Sequence, residues 1–134
     1  MILLTEPAKT GGSTSAIIVK KFCDPTSEVG DTVFLSNVDV DTVISNSNHK
    51  NTNQTIGLIL EKITEDYAKI LLFGKEIFTF DTYLKNSKIF LGIDGKLTTV
   101  PPTDGFLHIL GVCLENDEIF FNPYIPRIKR TPFE

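Results

Sequence analysis

Short apolar or alternating runs, cut apart by turn-forming residues, constrain this chain more than any other feature. They fall at 16–22 (AIIVKKF), 31–36 (DTVFLS), 55–61 (TIGLILE), 67–73 (YAKILLF), 88–92 (KIFLG), 96–100 (KLTTV), 106–114 (FLHILGVCL) and 118–121 (EIFF). Pro25, Asp94-Gly95, Pro101-Pro102, Asp104-Gly105 and Asn116-Asp117 punctuate them. Runs this short and this regularly interrupted predict an all-β fold, a small β-barrel or β-sandwich. Ten Phe against three Ala, one Met and no Trp point the same way, because aromatic and β-branched residues favour strands.

Local readings fill the gaps. Val38, Val40, Val43 and Ile44 supply a short alternating strand, and the asparagine-rich stretch up to Thr55 reads as a long exposed loop. Residues 81–87 read as one helical turn. The clearest hairpin is 92–96, where Asp94-Gly95 suits a type I′ turn. Gly57 and Gly111 sit inside strand patterns, which indicates a bulge or a close backbone approach. Phe120 and Phe121 break the alternation, so one ring points to each face and both faces need a cover, the second of which another subunit could supply.

The runs also repeat. Val33-Phe34-Leu35, then Ile56 to Glu61, then Ala68 to Phe73 align with Ile89-Phe90-Leu91, then Leu110 to Glu115, then Asp117 to Asn122. Phe34 matches Phe90 at an offset of 56, Gly57 matches Gly111 at 54 and Ile70 matches Ile119 at 49, with the deletions falling in loops. The alternative is a chance match of common β patterns. The repeat reading gives a flexible N-terminal arm over 1–15, a single β domain over 16–123 built of two related units (about 29–74 and 88–123) that share one core, and an extended basic tail over 124–134. The arm carries Gly11-Gly12-Ser13 and offers little to bury. Pro123 and Pro126 keep the tail out of helix.

Charge is distributed unevenly. The net value is −4. Residues 1–22 hold Lys9, Lys20 and Lys21 against Glu6, a net +2; residues 127–134 hold Arg127, Lys129 and Arg130 against Glu134, another +2; the body between them therefore holds −8. An acidic body argues against a nucleic-acid binder. The basic ends are either docking elements for an acidic partner or simply solvated. No run approaches the ~18 apolar residues of a membrane helix, and the N-terminus lacks the pattern of a secretory signal.

Chemistry is sparse. Cys23 and Cys113 have no metal-type spacing and read as two inert buried thiols. His108 and Cys113, placed on one strand, would face opposite ways, and His49 lies in a polar loop. Asp39 with Asp41, or Glu28 with Asp31, could offer oxygens to Ca²⁺, but solvated turns account for them more simply. There is no P-loop and no GxGxxG. No cofactor is expected, and the reading is non-enzymatic.

Several of these motifs occur together elsewhere. Val29-Gly30-Asp31-Thr32-Val33-Phe34-Leu35, Ile56-Gly57-Leu58-Ile59, Gly95-Lys96-Leu97-Thr98-Thr99-Val100-Pro101-Pro102, Leu110-Gly111-Val112-Cys113-Leu114 and Asp117-Glu118-Ile119-Phe120-Phe121-Asn122-Pro123 resemble the decoration (cement) and head-fibre proteins of tailed bacteriophages over about 29–123. The resemblance implies a virion structural protein, commonly a homotrimer, bound to the major capsid protein on the capsid surface. It implies no catalytic residue. Contacts with the shell or a neighbouring subunit would fall on the ends, at Lys9, Lys20, Lys21, Tyr124, Arg127, Lys129 and Arg130. The chain has no room for the extra fibre region of longer relatives, which favours shell stabilisation. The alternatives are a head-fibre, tail or fibre-adaptor component, or a glycan- or receptor-binding module using the asparagine-rich loop.

Overall fold

The computed structural model describes residues 16–50, 53–126 and 128–130. The arm with Lys9, and Arg127 in the tail, lie outside them. The described elements are strands: β1 (Ile17–Cys23), β2 (Thr32–Leu35), β3 (Thr42–Ser45), β4 (Gly57–Thr64), β5 (Tyr67–Ile77), β6 (Lys88–Leu91), β7 (Leu97–Thr98), β8 (Gly105–Leu107), β9 (Ile109–Cys113), β10 (Glu118–Phe121) and β11 (Ile128–Arg130). The protein is all-β.

Nine strands form one sheet in the order β1-β3-β2-β4-β5-β10-β9-β6-β7, and β1 also pairs with β5. That extra pairing closes β1-β3-β2-β4-β5 into a five-stranded ring. Among the described strand pairings only β1–β3 is parallel, and it is two residue pairs long. The second half repeats the arrangement. β6, β7, β9 and β10 pair with one another as β2, β3, β4 and β5 do, and in the same register. Val33 opposes Gly57 as Ile89 opposes Gly111. Leu35 opposes Val43 as Leu91 opposes Leu97. Ile59 opposes Ile70 as Cys113 opposes Ile119. β5 belongs to both units, because its last four residues pair with β10 just as β1 pairs with β5.

Each unit has its own buried cluster, which corrects the expectation of one shared core. Cys23, Val33, Val43, Ile59, Ala68 and Ile70 fill the ring. The equivalents Ile89, Leu97, Cys113 and Ile119 fill the second unit with Leu91, Leu110 and Phe121. Alternation along the β4–β5 hairpin links the two clusters. Ile59 and Ile70 turn into the ring, while their neighbours Leu58 and Leu71 turn to the other face and join the second cluster.

Other local expectations change. The 92–96 turn is not type I′: Gly95 has φ of +81° but Asp94 is not left-handed, and Gly95 N–H donates to the Gly92 carbonyl at 3.0 Å. This is a turn followed by a left-handed glycine, as in a three-residue hairpin. Asn116 and Asp117, at φ of 58° and 62°, make the type I′ turn instead, joining β9 to β10. Residues 81–87 hold turns and no helix. The 106–114 run breaks at His108, because β8 pairs with β11 whereas β9 pairs with β6 and β10. Phe121 is fully buried, and Phe120 meets Phe73 edge-on at 5.3 Å, so the chain itself contributes to covering both faces.

Candidate functional site

The basic residues of the two ends that are described sit on separate strands, β1 and β11. Lys20 is exposed on β1. Lys21 is mostly covered and ion-paired with Asp41 at 2.7 Å, which ties β1 to the start of β3. The tail folds back as β11, with Lys129 opposite Phe106 and Arg130 opposite Gly105. Tyr124 is half exposed just before it. The tail expected to reach a partner thus pairs, through 128–130, with its own domain.

What the ring does present is apolar. Phe22 pairs with Thr42 and with Tyr67, and Phe34 pairs with Ile44, so register places these side chains on the ring's outer face. Phe22 packs on Tyr67 at a centroid distance of 5.0 Å yet stays half exposed. Ile44 and Ile18 are more than a third exposed. In the β2–β3 turn Val38 and Val40 are 87% and 91% exposed. A concentration of large apolar groups on adjacent strands is the usual mark of an interaction surface, whereas single exposed residues are unremarkable.

Between the units lies a polar joint. Lys96 Nζ bridges Asp31 and, at 3.1 Å, Glu28. Asp31 also accepts from Ser45 Oγ and from the Glu28 amide, each at 2.9 Å. Burial alone would lower the Lys96 ammonium, but the Asp31 and Glu28 carboxylates outweigh it and hold the pKa above the ordinary value. Below this pair Thr32 donates to the Gly95 carbonyl at 2.6 Å, and Asn46 Nδ2 donates to Thr32 and Thr55 at 2.8 and 2.9 Å. Glu28 and Asp31 are therefore tied to a lysine, and no group of three metal-type side chains occurs among the described residues.

The asparagine-rich loop is pinned, against the expectation of full exposure. Asn46, His49 and Thr55 are buried. His49 Nε2 lies 2.9 Å from the Asp104 carbonyl and 3.2 Å from its carboxylate. Gln54 donates to the Pro123 carbonyl at 2.8 Å. The hydrogen bond from His49 and the charge of Lys50 hold Asp104 below the usual carboxylate range. The thiols are buried and free, and desolvation raises both.

A cleft of about 550 Å³ runs between residues 78–82 and the β6–β7 hairpin, with Val29 and Gly30 of the first unit at one side. It marks where the second ring fails to close. By the repeat, 78–82 stands where the end of β1 stands in the first unit, but it meets β7 and the residue after it through side chains. Thr82 Oγ1 accepts from the Thr99 amide at 2.9 Å, and Thr99 Oγ1 donates to the Thr82 carbonyl at 2.6 Å. Sequence reading missed this cleft, although the alternation of Phe78 and Phe80 just past β5 was its signal. It also missed the Lys96 joint, whose partners are 65 residues apart.

No family model, no curated protein and no solved structure matches this chain.

Proposed function

We propose that this protein is a non-enzymatic virion structural protein of a tailed bacteriophage, a cement protein that binds the major capsid protein lattice as a homotrimer and stabilises the shell. The observation that carries the reading is the apolar outer face of β1–β3 with its protruding Val38 and Val40. The motif resemblance over 29–123 supplies the setting. Lys20 adds a cation on the same strand as Phe22. A protein that binds the assembled lattice and not its dissociated subunits stabilises the assembly by mass action, about 2.7 kcal/mol at a concentration of 100 Kd.

Burying a valine contributes about 1.5 kcal/mol, so the two exposed valines together account for roughly a hundredfold in affinity. Cosedimentation with expanded heads lacking the protein tests this. Val38→Asp with Val40→Asp is expected to weaken binding at least a hundredfold with an unchanged melting temperature. Light scattering on the purified protein is expected to give a trimer. A monomer without affinity for heads would sink the proposal, and gold labelling confined to the tail would move the protein to a fibre-adaptor role.

A further inference from the structure

We propose that the outer face of the ring takes a partner segment carrying a carboxylate between aliphatic side chains, and that Lys20 is the residue that selects it. This contact is the lattice contact of the function proposed above and rests on it. Register sets the geometry. Lys20 stands opposite Lys69 across β1 and β5, and Lys69 stands opposite Glu61 across β5 and β4, so one row holds two ammonium groups and one carboxylate. Glu61 pairs with Lys69 at 3.3 Å. Lys20 is exposed and has no carboxylate within ion-pair distance among the described residues. Like charges directly opposite each other destabilise a sheet, so the fold itself gains nothing from a lysine at this position.

The surroundings of that cation are apolar. Ile18 and Phe22 lie two residues to either side on the same strand and share its face, and Tyr67 packs on Phe22. Phe34 and Ile44 extend the face onto β2 and β3. In the second unit the equivalent of Phe34 is Phe90, which the chain buries to 8% exposure, whereas Phe34 stays partly exposed. The unit that leaves its face uncovered is the one with the unpaired lysine. A partner that covers Ile18 and Phe22 together closes over the ammonium between them, and a charge taken out of water is tolerated when it is paired. A wholly apolar partner would strip the ammonium of water without return, and a basic one would add a third cation to the row. An aspartate or glutamate flanked by aliphatic residues satisfies the cation and its apolar surround at once.

The sign of one substitution decides. Cosedimentation with expanded heads lacking the protein is read for the full-length wild type, Lys20→Met, Lys20→Arg and, as a control, Lys88→Met, which changes an exposed lysine on β6. All are expected to melt with the wild type, since these side chains are exposed. With a carboxylate on the partner, Lys20→Met leaves that group covered and unpaired, and affinity is expected to fall at least about thirtyfold. Lys20→Arg keeps the charge and is expected to stay within about threefold of wild type, and Lys88→Met to bind unchanged. Without that carboxylate, methionine removes a desolvation cost, so Lys20→Met binds as tightly as wild type or more tightly. That result overturns the proposal and leaves the lattice reading standing, whereas a wild type with no affinity for heads overturns both. Glu6 is the one carboxylate side chain in residues 1–15. A loss of the same size from Glu6→Gln would place the counter-charge on the protein's own chain and overturn its assignment to the shell.

Discussion

Gly57 and Gly111 occupy equivalent positions in the two units, and both lie where a strand crosses its neighbour too closely for a side chain. A Cβ on Gly111 would sit 2.0 Å from the Phe120 carbonyl oxygen, and its φ of +152° is one that side-chain-bearing residues rarely adopt. A Cβ on Gly57 would meet Ile70 Cγ2 at 2.4 Å, the branch methyl of a fully buried side chain with little χ1 freedom, and the Leu71 carbonyl oxygen at 3.1 Å. Gly111→Ala is thus expected to cost about 3 kcal/mol and Gly57→Ala about 2–3 kcal/mol, read from urea denaturation midpoints at constant slope. The cysteines make a second residue-scale prediction. Burial raises Cys23 and Cys113, and the carboxylates around Lys96 raise its ammonium. A raised folded pKa contributes stability below the unfolded pKa and loses it as pH rises through the folded one. The melting temperature is therefore expected to hold through neutral pH and fall above about pH 9, with neither thiol reacting with a disulfide reagent before unfolding.

At the scale of elements, the link between the units rests on polar contacts brought together from distant sequence. Asn46 Nδ2 is shared between two threonine hydroxyls, and truncating it removes a buried donor from both, leaving Thr32 its bond to the Gly95 carbonyl. Asn46→Ala is expected to cost about 2–3 kcal/mol. Lys96→Met leaves the mostly buried Asp31 with only its Ser45 and Glu28 donors; discounted for the partial exposure of the lysine, the loss is about 1–2 kcal/mol by chemical denaturation. The strands these residues connect were largely legible, since each buried face shows as alternation within a few residues. The joint was not. Polar residues such as Asn46, His49 and Thr55 read as solvated loop until the 92–96 hairpin and the 102–105 segment are laid against them.

For the whole molecule, the shared strand β5 and the placing of Leu58 and Leu71 in the second cluster couple the two halves. One cooperative transition follows, with no separately melting unit. Val33→Ala in the ring and Leu110→Ala in the second unit are each expected to move a single calorimetric peak down by about 5–12 °C without splitting it. Two peaks would show that the clusters unfold independently.

By itself, the sequence determined the class of fold and the repeat, because strand alternation and turn chemistry are local and the core positions recur in both halves. Only the tertiary structure decided that one unit closes while the other leaves a cleft, that residues 128–130 of the tail pair with β8, and that the two clusters meet through opposite faces of one hairpin. Those outcomes depend on which distant segments reach each other's edges. That is a matter of long-range geometry, which no pattern within a few residues records.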